Sequence, residues 1–145
     1  MRSRDLFYAW LAATLLSGIP SSVHALLTGR DVLEATRAAA AMLPLSGSLL
    51  VDAALVHGSV SLFWALVLWR TLPRRHLAIW AIAAAALIGI LDLLIIAPRF
   101  FPEVAALEFW PQMADHLMWG ACFGWVLQKR IGVWVNSARR GNGSF

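Results

Sequence analysis

The chain has 145 residues, enough for one domain and too few for two of ordinary size; 60% of them are hydrophobic and 14% charged, against roughly 25% charged in an average soluble domain. A soluble fold this small could not hide so much apolar surface, so lipid is expected to be the solvent for a large share of it. The formal net charge of +4 would suit nucleic acid, but the basic residues sit in short clusters beside apolar runs, which is how membrane topology is written, and nucleic acid is excluded as a partner.

A membrane-spanning helix needs about 20 mostly apolar residues, and four segments qualify. The first covers 5–28 and is interrupted by Gly18 and Pro20. Pro20 removes a backbone donor and its ring crowds the preceding turn, so a kink is expected there. The same stretch can be read as a secretory signal, with MRSRD as basic region and Val23-His24-Ala25 as a small-residue cleavage site. Apolar character continues through Ala25-Leu26-Leu27, which favours an uncleaved helix.

Between the first and second spans lies TGRDVLEATRAAAAMLP. Asp31 with Glu34 three residues on fits a helix start, although a full capping box usually begins with Ser or Thr. Val32, Ala39 and Leu43 fall near one face and Arg30, Glu34 and Arg37 towards the other. The pattern predicts a short helix lying in the outer interface and serving as a structural elbow. The second span is expected over 47–69 and the third over 76–97, with Pro98 as its stop. The fourth is expected over 111–127. Residues 136–145 are polar and Gly-rich and read as a flexible cytoplasmic tail, leaving 1–135 as a single transmembrane domain.

Charge orients these spans. Arg2, Arg4, Arg70, Arg74, Arg75, Lys129, Arg130, Arg139 and Arg140 fall on one side if the helices alternate. Arg30, Arg37 and Arg99 fall on the other with most of the acids. Positive residues stay inside, so both termini are expected to be cytoplasmic. Trp10, Trp69 and Trp80 near the inner boundary and Trp110 near the outer one match an aromatic belt. The expected fold class is therefore all-α: a polytopic four-transmembrane-helix bundle, with a short outer interfacial helix between helices 1 and 2, in a bacterial inner membrane.

An ionisable group at the centre of a membrane helix costs about 2.5–3.5 kcal/mol on insertion scales, so each needs a reason. With a rise of about 1.5 Å per residue, His24 lies about 6 Å from the outer end of the first span and Asp92 roughly 8 Å from that of the third. His57 lies about 15 Å below the start of the second span, with Asp52 nearer its outer edge. Asp115 and His116 fall in the first two turns of the fourth. These six form a candidate polar cluster in the outer half of the membrane, and the inner half supplies none.

Helical spacing says which groups face inward. His116, Gly120 and Gly124 are spaced by four, which puts the imidazole on a small-residue packing stripe. Asp92, Gly89 and Ala85 make a similar stripe, and His57 shares a face with Ser61. Gly89, Gly120 and Gly124 are the candidate close-packing positions.

Several chemistries fit such a cluster. Imidazole and carboxylate on facing helices can bind a transition metal or zinc, but no His-x-x-x-His or Glu-x-x-His pair occurs on one helix, so metal binding stays open. Intramembrane Asp and His are also typical proton-relay groups. Haem held by His57 and His116 would require matched depths, which they lack. The plain alternative is interhelical hydrogen bonding that fixes packing. Arg99 is expected to pair with Asp115 or Glu103, and His76 beside Arg74 and Arg75 to sit in the interface. Ser21, Ser22, Ser59 and Ser61 lack a base and an orienting group, so hydrolase chemistry is not expected. Cys122 is alone, which excludes an intramolecular disulfide. No Gly-rich phosphate loop or other cofactor motif is present, so neither enzyme activity nor a cofactor is expected.

SGIPSSVHALLTGRD (17–31) and WPQMADHLMWGACFG (110–124) resemble a group of small uncharacterised bacterial four-helix inner-membrane proteins. The resemblance implies topology and no mechanism, and it places His24 and His116 inside the two distinctive stretches. The expected role is structural or accessory, with the lipid bilayer and a membrane-protein partner or second copy of the chain as its company. The alternative is a metal- or proton-handling membrane protein, for transport or binding, that uses the outer-half His/Asp cluster.

Overall fold

The computed structural model describes residues 3–141, with side chains through Ile131. Arg2 and residues 142–145 lie outside the described residues, as do the side chains of Arg139 and Arg140. The described chain consists of helices and their connections.

Helix α1 (Ser3–Leu16) and helix α2 (Ile19–Thr28) come from the first apolar run, parted at Ser17 and Gly18. Pro20 stands in the first turn of α2, where its missing N–H costs nothing. Gly29, with φ 70°, ends α2 in the left-handed conformation that glycine adopts without strain. Helix α3 (Glu34–Ala41) begins two residues later than an N-cap at Asp31 would give. The Asp31 carboxylate accepts the Leu33 N–H at 2.8 Å in a tight turn, and Glu34 pairs with Arg30, so no capping box forms. Helix α4 (Leu49–Thr71) follows, and α3 packs against it.

Helix α5 (Leu77–Leu91) runs on through a π-helical stretch, Asp92–Ile96, into a short α6 (Ala97–Phe100). Pro98 does not stop the helix. The wider turn carries the Ala97 N–H back to the Asp92 carbonyl, and Pro98 then opens the next α-helical turn, where no donor is required of it. The stop comes at Phe101, before α7 (Pro102–Ala105). Helix α8 (Phe109–Gly141) spans 33 residues. Its backbone continues through Asn136 into the segment read as a tail, since Ala138, Arg139 and Arg140 are good helix formers and no proline intervenes.

Three helical stretches among the described residues are long and apolar enough to cross a membrane: Ser3–Thr28, Leu49–Thr71 and Leu77–Phe100. The fourth expected span lies inside α8, where Gln112, Asp115 and His116 dilute its apolar character, and it is not one of the three. Large apolar side chains such as Leu15, Leu27, Ile79 and Leu87 point outward.

The core is shared by α1, α4, α5 and α8, with Ala9, Ala13, Ala65, Ala81, Ala85, Phe123 and Leu127 fully or almost fully buried. Close approach of α5 and α8 depends on two glycines. A Cβ on Gly120 would fall 2.5 Å from the Ala85 Cβ and 2.7 Å from the Ala81 carbonyl oxygen. One on Gly124 would fall 2.7 Å from both the Ala78 Cα and the Ala81 Cβ. Gly89 performs a related service for the site, since a Cβ there would lie 3.0 Å from the His116 Cγ.

Candidate functional site

A partly open cavity of about 460 Å³ lies between α1, α2, α3, α4, α5 and α8. That volume falls within the range of small-molecule sites, which are mostly apolar with a few convergent polar groups. Here the apolar walls come from residues such as Trp64, Ile88 and Leu107. The polar groups include His57 from α4, Asp92 from the π stretch, and Asp115 and His116 from α8.

His116 and Asp92 meet across the α5–α8 seam. The His116 Nε2 lies 3.3 Å from the Asp92 Oδ2, and its Nδ1 lies 2.9 Å from the Gln112 carbonyl oxygen one turn back. A carbonyl only accepts, so Nδ1 must donate to it. The neutral ring would then present a bare Nε2 to the carboxylate, and two acceptors do not bond. One proton must therefore sit between them, either on the imidazole as a cation beside a carboxylate or on Asp92 beside a neutral ring. Either way the pair holds one proton at the cavity wall.

Asp115 answers the break in the first apolar run. The start of α2 leaves N–H groups without intrahelical partners, and the Asp115 Oδ1 accepts one of them, from Ser21, at 2.9 Å. A carboxylate at a helix N-terminus also meets the positive end of the helix dipole. His57 turns towards α1: its Nε2 lies 3.1 Å from the Thr14 carbonyl oxygen and 3.2 Å from the Ser17 Oγ. It does not bond to Asp92 or His116. A second polar chain crosses the bundle beneath it. The Trp119 Nε1–H donates to the Ser61 Oγ at 2.7 Å, and Ser61 and Thr14 share a hydroxyl hydrogen bond at 2.6 Å.

Two of the six expected cluster members lie elsewhere. Asp52 is buried, yet its Oδ1 accepts the Ser46 N–H at 2.8 Å and so closes the loop before α4. A carboxylate in a helix's first turn serves the chain just before it, which the depth argument overlooked. His24 lies outside the cavity on the surface, where its Nε2 is 2.6 Å from the Glu108 Oε2. Glu108 also pairs with Arg30, which bonds Glu34 at 3.0 Å, so this network ties α2, α3 and the start of α8 together. Hydrogen bonding to Glu34 and the charge of Glu108 raise the pKa of Arg30, which keeps it a cation. Arg37 pairs with Asp31. The expected contact of Arg99 with Asp115 or Glu103 is not made among the described residues.

Sequence reasoning passed over two features. Asp5, at the opposite end of the bundle, is 1% exposed and pairs with Arg130 at 3.4 Å, while the Arg130 guanidinium lies over the Tyr8 ring. An acid in the first turn of an apolar helix was the available signal. The Trp119–Ser61–Thr14 chain had none, because its members belong to three helices whose rotation about their axes a single sequence does not reveal.

Among the described residues no group of three His, Cys, Asp or Glu side chains lies close enough together to hold a metal ion. No protein-family model, curated protein or solved structure matches the chain, so its function is read from the chemistry of the pocket itself.

Proposed function

We propose that this is a four-span protein of the bacterial inner membrane, with both termini cytoplasmic, that handles a proton in an outer-half pocket where a small solute binds. The single observation that carries the reading is the His116–Asp92 pair. With Nδ1 committed to the Gln112 carbonyl, the pair holds one proton that can leave or return at the wall of a cavity large enough for a ligand. Intramembrane carboxylate and imidazole groups facing a cavity are typical of proton paths. The metal form of the alternative lacks a ligand set among the described residues. The accessory role read from the sequence would need the pair only as a fixed interhelical contact.

Nitrogen-15 NMR of labelled histidines distinguishes the two. In the full chain in neutral detergent, the His116 Nε2 is expected to change protonation state as the pH is varied over a wide range, with Nδ1 protonated throughout. Asp92→Asn should alter the Nε2 signal, because it removes the carboxylate 3.3 Å from that nitrogen. A His116 signal that stays constant over this range, in both proteins, would leave only the structural role.

A further inference from the structure

The charge of the pocket lining selects among ligands. Among the described residues two carboxylates, Asp92 and Asp115, line the cavity, and no Lys or Arg does. The His116–Asp92 pair with its single proton is neutral overall, whichever partner carries it. His57 engages the Thr14 carbonyl and the Ser17 hydroxyl with its Nε2 and bonds to neither carboxylate. That leaves Asp115. Asp115 accepts the Ser21 N–H through its Oδ1 and pairs with no Lys or Arg among the described residues. An anion entering here would meet no Lys or Arg among the described lining residues and would face a carboxylate in a poorly hydrated space. A cation would find a countercharge, and two indole-bearing residues, Trp64 and Trp119, line the same cavity. Aromatic faces and a carboxylate are the usual recognition chemistry of organic ammonium groups. The mostly apolar walls add a requirement for a greasy body behind the charge.

We infer that the pocket takes a small organic cation, an ammonium group on an apolar body, with the ammonium at Asp115 and the body along the wall formed by Trp64, Ile88 and Leu107. The inference rests on the cavity being a binding site, as proposed above, and adds the class of ligand. It also gives the proton a purpose: a cation settling beside Asp115 raises the positive charge near the His116–Asp92 pair, which favours release of that proton to solvent.

Three probes of one shape and different charge test it: 3-phenylpropylammonium, 3-phenylpropanol and 3-phenylpropionate. Each is titrated into the purified full chain in a neutral maltoside detergent, with binding followed by calorimetry and tryptophan fluorescence. The ammonium is expected to bind saturably, one per chain, and at least about tenfold more tightly than the alcohol or the carboxylate. Asp115→Asn should weaken ammonium binding by about tenfold or more and leave alcohol binding unchanged. If that variant does not fold, the charge series on the unaltered protein still decides. Equal or tighter binding of the alcohol or the carboxylate would overturn the inference, as would saturable binding of none of the three. The histidine NMR measurement needs no ligand, so the proton reading stands or falls separately.

Discussion

Replacing Gly120 by Ala would put a Cβ 2.5 Å from the Ala85 Cβ, 2.7 Å from the Ala81 carbonyl oxygen and 3.1 Å from the Ile82 Cα. Carbon atoms in contact rest about 3.5–4.0 Å apart, so α5 and α8 would have to separate by about 1 Å along this seam. The obstacles are a backbone oxygen, a backbone carbon and a methyl group, none of which can swing aside as the end of a long side chain can. Overpacking of this kind costs about 1–3 kcal/mol, and the backbone contacts put Gly120→Ala near the upper end. Gly58→Ala is the matched control. It too lies inside a long helix, but its nearest neighbour would be the Trp10 ring at 4.0 Å, an ordinary contact. Removing a helical glycine there is expected to leave stability unchanged or raise it by about 0.5–1 kcal/mol. Thermal unfolding in maltoside, read by near-ultraviolet circular dichroism, compares the two. Equal midpoints for Gly120→Ala and Gly58→Ala would refute the close α5–α8 approach, and the placement of His116 against Asp92 would fall with it.

Ser61→Ala is expected to leave the buried Trp119 N–H without an acceptor and to destabilise the bundle by about 1–3 kcal/mol, measured by the same unfolding assay. His76 adopts φ 54° just before α5, a left-handed conformation that is strained for a residue with a Cβ. His76→Gly should therefore raise the unfolding midpoint, by up to about 1 kcal/mol of stability, because the caps to the His76 carbonyl from Ile79 and Trp80 use backbone only. Topology reporters fused after Phe145 and inserted beside Arg74 should both read cytoplasmic, and one inserted in the loop 101–108 external. Reversal of any of the three would break the four-span arrangement.

The parts of this architecture legible in the sequence are those written within a single helix. Apolar run length marks α1 with α2, α4 and α5, and the pairing of Gly18 with Pro20 marks the break between α1 and α2. The fourfold spacing of His116, Gly120 and Gly124 puts them on one face, and Gly89 shares a stripe with Asp92. What lies between helices was not legible. Depth alone grouped Asp52 and His24 with the cluster, whereas Asp52 turns back to Ser46 and His24 reaches outward to Glu108. Pro98 reads as a stop, and only a π-helical turn, which no residue type announces, lets the chain pass it. Ser61 has no base beside it in the sequence to suggest a role, yet it joins Trp119 to Thr14 across the core.

The departures from regular helix gather around the same pocket. The first apolar run breaks at Ser17 and Gly18, and the third widens from Asp92. A backbone group left unpaired in hydrocarbon costs several kcal/mol, so in a spanning helix such departures persist only where protein or water answers the freed groups. Here the answers are specific. The Ser21 N–H goes to Asp115, the Thr14 carbonyl takes His57, and the Ala97 N–H returns to the Asp92 carbonyl. A bundle needed only for its shape is served by unbroken helices with small-residue seams, and the α5–α8 contact at Gly120 and Gly124 already supplies one. Two breaks opening on one cavity add nothing to that seam and lower the regularity of both helices. What they do add is a carboxylate at each: Asp115 docked on an opened helix end and Asp92 at the head of the π turn, the latter within reach of His116. Interrupted helices that hold charge at their ends are how membrane proteins build polar sites in an apolar solvent, and that likeness is the physical reason for the ligand proposed for this pocket.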